Sequence, residues 1–144
     1  MMNPTVTLTK CNDYNPETIA MCLEKHFSLH GGLDKFIKYG DTVLIKPNFI
    51  APKPKTEATQ THPQVIIEIA RLLKDFGAKP FVGDSPAWSN VFVCAKALEL
   101  EEPLKKLDIP IKQLNKSKTC ILGSSKTSVG ISSVALEADA IINL

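Results

Sequence analysis

Six polar residues of the sequence carry side chains that could bind or transform a small molecule. Three are candidate catalytic residues and three are candidate ligand-binding residues: Lys46, His62 and Asp84 in the first group, and Asn48, Thr61 and Ser85 in the second. A lysine ammonium holds negative charge, an imidazole acts as general acid or base, and a carboxylate orients an imidazole or binds a metal. Whether these side chains can form one site depends on whether the strands that precede them are neighbours in the fold.

Lys46 and Asp84 follow two predicted strands. Residues 42–46 contain a continuous apolar run, which is typical of a strand covered on both faces. Residues 79–82 are a shorter predicted strand, and a turn at residues 83–86 follows it. In open parallel sheets, ligands bind at the carboxyl ends of the strands. We therefore expect the polar side chains after these two strands to share one rim of the sheet.

His62 lies where the clearest predicted helix, residues 63–76, begins. A residue before proline avoids the helical region, so His62 is predicted to be the N-cap, with Pro63 at the first helical position. Histidine caps helices less well than threonine, and Thr61 beside it would serve better if capping were the only need. Two interpretations stay open: a surface histidine, or an imidazole whose pKa is lowered by the helix dipole and that works beside a bound anion.

The other candidates also have purely structural interpretations. The Lys46 ammonium can reach solvent past the end of its strand. Asp84 and Ser85 can form an ordinary Asx-type turn. His26 and His30 flank a helix end, and we interpret both as structural.

The order of predicted elements is typical of an α/β domain. An alternating, β-branched strand is predicted at residues 5–9, and a helix starts after Asn15, with Pro16 in its first turn. Further strands are predicted at residues 109–114, 119–122, 128–131 and 140–144, and helices at 90–98 and 103–107. Alternating strands and helices with short connections imply parallel strands. We expect a three-layer, mostly parallel open sheet with helices on both faces, Rossmann-like, in a single domain over residues 1–144.

A long polar segment at residues 47–62 separates the first strand of the candidate rim from the helix that follows it. It has three prolines and no hydrophobic periodicity, which is typical of a functional loop. We expect residues 50–61 to be mobile without ligand and to act as a lid.

Composition and charge exclude several classes of protein. The chain has 144 residues, its net charge is only +2, and one of its 17 basic residues is Arg, which argues against a nucleic-acid reader. The lysine-rich stretch at residues 105–126 is interpreted as a solvated face, with a polyanion-binding strip as the alternative. No apolar run approaches a membrane span and no secretory signal is visible, so the predicted location is cytoplasmic, without membrane insertion.

The four cysteines have no spacing typical of a metal site. Cys11, Cys22, Cys94 and Cys120 form no C-x-x-C pair, and no histidine lies at zinc-finger spacing. We predict four buried free thiols, no disulfide, and no zinc or iron–sulfur centre held by cysteines of this chain. The residues identify no cofactor.

Five sequence segments occur in an order and at spacings that resemble domain-of-unknown-function family 362. They are V-L-I-K-P-N (43–48), T-H-P-Q-V (61–65), G-A-K (77–79), G-D-S-P (83–86) and A-D-A-I-I-N-L (138–144). The resemblance implies an α/β domain from bacteria or archaea, often joined to a ferredoxin-like segment with cysteine clusters, and therefore redox chemistry in some members. Members continue with a Pro-Lys-x-Lys-x-His stretch, so the chain resembles the N-terminal portion of a longer member. Ala87 stands where relatives often have Gly.

Two functions remain open. In the first, the six residues line a crevice of an enzyme for a small anionic or carbonyl-bearing substrate, where Asp84 orients His62 or a metal. In the second, the domain is a non-catalytic ligand-binding or assembly module. An apolar last strand at residues 140–144 with nothing after it to cover the sheet favours the second, because it predicts a homodimer or contact with a further C-terminal part.

Overall fold

The computed structural model describes residues 5–123 and 126–144, which form a four-stranded parallel sheet, a separate two-stranded antiparallel hairpin, and helices. The helices are α1 (Pro16–Leu29), α2 (Pro63–Phe76), α3 (Val91–Ala97), α4 (Glu101–Lys106) and α5 (Ser133–Leu136). The strands are β1 (Thr42–Lys46), β2 (Lys79–Asp84), β3 (Ile111–Gln113), β4 (Ser117–Leu122), β5 (Thr127–Ser132) and β6 (Ala140–Asn143). The parallel sheet has the order β3-β2-β1-β6 and is flanked by helices, which confirms the predicted Rossmann-like α/β class.

The core lies around the central strand β1. Val43, Leu44 and Ile45 are each at most 1% exposed, because β1 pairs on both sides and is covered on both faces. Helix α2 contributes Ile66 and Leu73, which are fully buried. Burying one such aliphatic side chain stabilises the fold by about 1.5–3 kcal/mol. The continuous apolar run of the sequence thus becomes the most deeply buried strand.

Both ends of α2 are set by the residues that the sequence indicated. His62 is the N-cap, Pro63 opens the helix, and Gly77 ends it in the left-handed conformation with φ 94°. One charged side chain of this helix is buried. Glu68 is 3% exposed and accepts hydrogen bonds from Gln64 Nε2 at 2.8 Å and from Arg71 Nη1 at 2.8 Å. These bonds offset the cost of burying the carboxylate.

The strand predicted at residues 5–9 is wrong. This segment has no strand pairing in the described part of the chain, and Val6 and Leu8 are 87% and 97% exposed. Thr7 Oγ1 lies between two histidines of α1, 3.3 Å from His26 Nε2 and 3.1 Å from His30 Nε2. The alternating pattern is present, but side-chain hydrogen bonds to a helix orient the segment instead of a neighbouring strand.

The last strand is exposed at the edge of the sheet, and the expectation of four buried thiols needs correction. Strand β6 is an edge strand with only alternate residues half-buried, and Ile141 is 53% exposed. Of the four cysteines, which are all free thiols, Cys94 alone is buried; Cys22 and Cys120 are half-buried and Cys11 is exposed. An apolar residue type does not ensure burial when its element lies at the margin of the domain.

Candidate functional site

The carboxyl ends of β1, β2 and β6 meet at one rim of the parallel sheet. Ile45 pairs with Val82 of β2, so the next residues along both strands, Lys46 and Gly83, are neighbours. On its other side Lys46 pairs with Asn143 of β6. Parallel strands place their carboxyl ends on the same edge, and Lys46 and Asp84 therefore emerge side by side.

Lys46 and Asp84 form an ion pair across this rim. Lys46 Nζ lies 3.1 Å from Asp84 Oδ1 and donates to the carbonyl oxygen of Pro47 at 3.2 Å. The Asp84 side chain is 8% exposed, whereas that of Lys46 is 39% exposed. The ammonium does not simply extend into solvent: it neutralises a buried carboxylate and keeps one face open to water.

The second oxygen of Asp84 holds the start of the long loop. The backbone N–H of Phe49 donates to Asp84 Oδ2 at 2.7 Å, and the Phe49 side chain is buried. The Asp84 carbonyl accepts from Leu114 N at 3.0 Å. Burial raises the pKa of the nearby Cys94 thiol, and the charge of Asp84 raises it further. Asp84 thus connects β2, the loop after β1 and the chain after β3.

Asn48 and Thr61 bind each other at the two ends of the same loop. Asn48 N donates to Thr61 Oγ1 at 2.9 Å, and Thr61 N donates to the Asn48 carbonyl at 3.3 Å. The Thr61 hydroxyl also donates to the carbonyl of Leu144 at 3.4 Å. Thr61 therefore closes the loop onto the end of β6, while the Asn48 and Ser85 side chains are exposed beside the ion pair.

His62 is oriented by two groups. Its Nδ1 accepts a hydrogen bond from Gln64 N at 3.2 Å, so the neutral ring carries its proton on Nε2. The ring of Tyr14 stacks on it with centroids 3.6 Å apart and planes inclined by 14°. Burial lowers the pKa of His62, and the charge of Lys55 lowers it further. The imidazole is consequently favoured in its neutral form.

Four of the six predicted residues form two contacting pairs, Lys46 with Asp84 and Asn48 with Thr61. Within the described residues, neither His62 nor Ser85 is hydrogen-bonded to another of the six. The oxygens of Asp84 contact Lys46 and Phe49, whereas Gln64 and Tyr14 orient His62. Sequence reasoning missed Tyr14 and Phe49, which the chain brings to the rim from a distant turn and from inside the loop. The only signal for Tyr14 was its position just before the N-cap of α1.

Metal ligation and cavity volume do not single out this rim. No group of three or more His, Cys, Asp or Glu side chains suited to a metal ion occurs in residues 5–123 and 126–144. Two open cavities of about 600 Å³ and 420 Å³ lie instead between α1 and β6, lined in part by Phe27 and Ile142. Within the same ranges, no helix combines the length and hydrophobicity that crossing a bilayer requires.

Comparison with known proteins agrees with the resemblance seen in the sequence motifs. The family model described as "Domain of unknown function (DUF362)" matches residues 43–144. A thylakoid-associated protein of Synechocystis sp. is 32% identical over 143 residues, which are 99% of this chain and 44% of that protein. The chain thus spans less than half the length of this relative, and no solved structure matches it. Since the family match covers well over half of the chain and includes all six rim residues, the protein belongs to the DUF362 family.

Proposed function

We propose that the rim at the carboxyl ends of β1 and β2 binds a small anionic or carbonyl-bearing ligand, with Lys46 as its cationic donor. The observation that carries this proposal is the half-exposed Lys46 ammonium held 3.1 Å from the buried carboxylate of Asp84. A lysine stem fixed by a buried partner loses less conformational freedom on binding than a free surface lysine does.

The Lys46 ammonium keeps donors for a ligand. It has three protons, of which the Pro47 carbonyl accepts one within the described residues, while Asp84 Oδ1 lies 3.1 Å from Nζ as its counter-ion. Asn48 and Ser85, which lie close to Lys46 and Asp84 in the sequence, have exposed side chains that can donate to further oxygens of the same ligand. A carboxylate or a polarised carbonyl matches this set of donors.

His62 is the candidate acid–base group in this proposal. Its neutral form presents the Nε2 proton, and a helix N-terminus stabilises negative charge nearby. If a bound carbonyl oxygen gains negative charge, the Nε2–H of His62 donates a hydrogen bond to it. To act as a base, the ring would have to take up the proton at Nδ1 in place of the hydrogen bond from Gln64 N. Tyr14 and Gln64 act as positioning residues for the ring.

A role in a redox enzyme is the more specific version of this proposal. Its support is the resemblance to members that carry ferredoxin-like segments, which would supply electrons to a ligand held at this rim. The name of the Synechocystis relative reports thylakoid association of that protein, and the cytoplasmic location of this chain stays a prediction.

Binding is tested by NMR titration of the protein with acetate, pyruvate and inorganic phosphate. We expect amide shifts at Asn48, Thr61 and Ser85, and at least a tenfold weaker affinity in Lys46→Met, because the charged donor is lost. Lys118→Met, which removes a charge from the hairpin strand β4, is the matched control and should bind as the wild type does. Equal affinity in wild type and Lys46→Met would refute the proposal.

The second candidate function, a non-catalytic assembly module, has its own support. Ile141 on the edge strand and the side chains of Val6 and Leu8 are exposed. Such apolar surface at a sheet edge is typical of a place where another chain or segment packs. The association measurement proposed in the Discussion separates this function from ligand binding.

A further inference from the structure

Two of the four cysteines lie beside each other although they are eleven positions apart in the sequence. Cys11 belongs to the turn that precedes α1, and Cys22 lies within α1. Cys22 Sγ donates to the carbonyl of Lys10 at 3.5 Å, the residue directly before Cys11. The Cys22 thiol therefore lies against the backbone that leads directly into Cys11.

The turn between the two cysteines is ordered by local hydrogen bonds. Cys11 Sγ donates to the Asp13 carbonyl at 3.1 Å, and Asp13 Oδ1 accepts from Asn15 N at 3.0 Å. Asn15 then caps α1 by accepting from Glu17 N at 3.2 Å. These bonds fix the turn that carries Cys11 against the start of α1, the helix that carries Cys22, and no covalent link is present.

The same loop carries the ring that stacks on the candidate site. Tyr14 lies between Cys11 and Cys22, and its ring centroid is 3.6 Å from that of His62. The Tyr14 side chain is otherwise 58% exposed, so its place over His62 depends on the conformation of the loop. Closing the loop covalently restricts that conformation.

We propose that Cys11 and Cys22 form a reversible disulfide that fixes Tyr14 over His62 and thereby regulates the rim. The disulfide itself stands on the contact of Cys22 Sγ with the backbone next to Cys11, and only its effect on ligand binding rests on the proposed function. The remaining cysteines are unsuited to this role: Cys94 is fully buried, and Cys120 lies on the separate hairpin strand β4.

The reaction is a thiol–disulfide exchange with a low-molecular-weight disulfide such as glutathione disulfide as the oxidant. The Cys11 thiolate, which is exposed, attacks the oxidant, forms a mixed disulfide and releases one glutathione thiolate. The Cys22 thiolate then attacks the Cys11 sulfur and releases the second glutathione. Two protein thiols lose two electrons and two protons, and one oxidant disulfide is reduced to two thiols.

The order of attack follows from the surroundings of each sulfur. Burial raises the pKa of Cys22, and the neighbouring Cys11 raises it further, so Cys22 is the poorer initial nucleophile. Cys22 becomes effective once Cys11 is in the mixed disulfide, because the attack is then intramolecular.

The disulfide is tested by thiol counting in glutathione redox buffers. The full chain is equilibrated at a series of ratios of reduced to oxidised glutathione, quenched with maleimide and analysed by intact and peptide mass spectrometry. We expect two of the four thiols to be lost together, with a peptide pair linked through Cys11 and Cys22. Cys120→Ser should retain this transition, and Cys11→Ser and Cys22→Ser should each abolish it. Four persistent thiols, a stable mixed disulfide, or linkage to Cys94 or Cys120 would overturn the proposal.

The effect of the disulfide on the rim is measured by NMR in the ligand-free protein. In the oxidised protein we expect the His62 ring protons to shift upfield, because the Tyr14 ring stays over them, and Tyr14→Leu should show no redox-dependent shift. Identical His62 resonances in both redox forms would overturn the regulatory part of the proposal. Acetate affinity is measured on both forms: if neither binds acetate while the disulfide and the His62 shift are observed, ligand binding at the rim fails and the redox link stands.

Discussion

Asp84 makes more contacts at the rim than the sequence motifs indicated. Its carboxylate forms an ion pair with Lys46 Nζ and accepts a hydrogen bond from Phe49 N, and its backbone carbonyl accepts from Leu114 N. A buried carboxylate costs several kcal/mol when its partners are removed, although exposure of the lysine reduces this cost. Single substitutions at the rim should therefore affect stability as well as binding.

Replacing Lys46 with methionine should lower the free energy of unfolding by about 1–2 kcal/mol, because Asp84 then stays buried without its cation. Urea denaturation at pH 7 measures the effect. Lys118→Met on β4 is the control and should change stability by less than about 0.5 kcal/mol. The double variant Lys46→Met/Asp84→Asn should recover part of the loss; a wild-type midpoint for Lys46→Met would contradict the ion pair's role.

Replacing His62 with asparagine separates the role of this residue as the N-cap of α2 from its role as a titratable group. Asparagine is a better N-cap, so the variant should be as stable as the wild type or more stable by about 0.5 kcal/mol. The wild type should lose stability as the pH falls below 6.5, because the unfolded chain binds a proton there that the folded His62, with its lowered pKa, does not. Chemical denaturation between pH 7.5 and 5 should show a smaller loss in His62→Asn; equal pH dependence of the two proteins is the contrary outcome.

At the scale of elements, the loop at residues 47–62 is tied at both ends and less firmly between them. Phe49 N is bonded to Asp84, and Thr61 pairs with Asn48. In between, Lys53 pairs with Glu57 at 3.1 Å and Lys55 with Glu99 at 2.6 Å, and both pairs are largely exposed. Exposed pairs contribute at most about 1 kcal/mol each.

Hydrogen exchange tests whether the middle of this loop is the mobile lid that the sequence predicts. The amides of residues 51, 53, 55, 56 and 58 should exchange within seconds, whereas the Phe49 amide should be protected by its bond to the buried Asp84. Asp84→Ala should remove the protection of Phe49 and leave that of the Leu73 amide in α2 unchanged as a control. Strong protection throughout residues 51–59 without ligand would show that the segment is no lid.

At the scale of the whole molecule, the exposed edge strand β6 predicts self-association. A symmetric dimer would have to bury on the order of 1,200 Å² of surface in total, and Ile141 with the adjoining cavity offers apolar area for it. Light scattering at micromolar concentration should report a dimer, and Ile141→Lys should shift it to monomer because a charge on the edge disfavours pairing. The matched control is Ile121→Lys on the hairpin strand β4, where the isoleucine is 71% exposed. A monomeric wild type at this concentration would contradict the predicted self-association through β6.

Local patterns in the sequence predicted most elements of the parallel sheet and the residues that cap α2. The apolar run at residues 43–45, Pro63 after His62, and Gly77 at the helix end act through propensity and backbone sterics, which need only neighbouring residues. The strand predicted at residues 5–9 was wrong because the alternation of apolar and polar residues predicts only which side chains share a face. A strand also needs a neighbouring strand with which to pair, and residue alternation does not predict one.

The sequence by itself determined that Lys46 and Asp84 share one rim, because a parallel α/β topology brings the residues after neighbouring strands to one edge. Only the tertiary structure decided what those side chains contact. Asp84 binds Lys46 and Phe49, while His62 receives the Tyr14 ring from a turn far away in the chain. The contact of Cys22 Sγ with the backbone next to Cys11 was likewise hidden, since the spacing of the two cysteines matches no ligand motif and helix α1 brings Cys22 against the preceding turn. Contacts between distant segments depend on packing geometry, which local residue patterns do not encode.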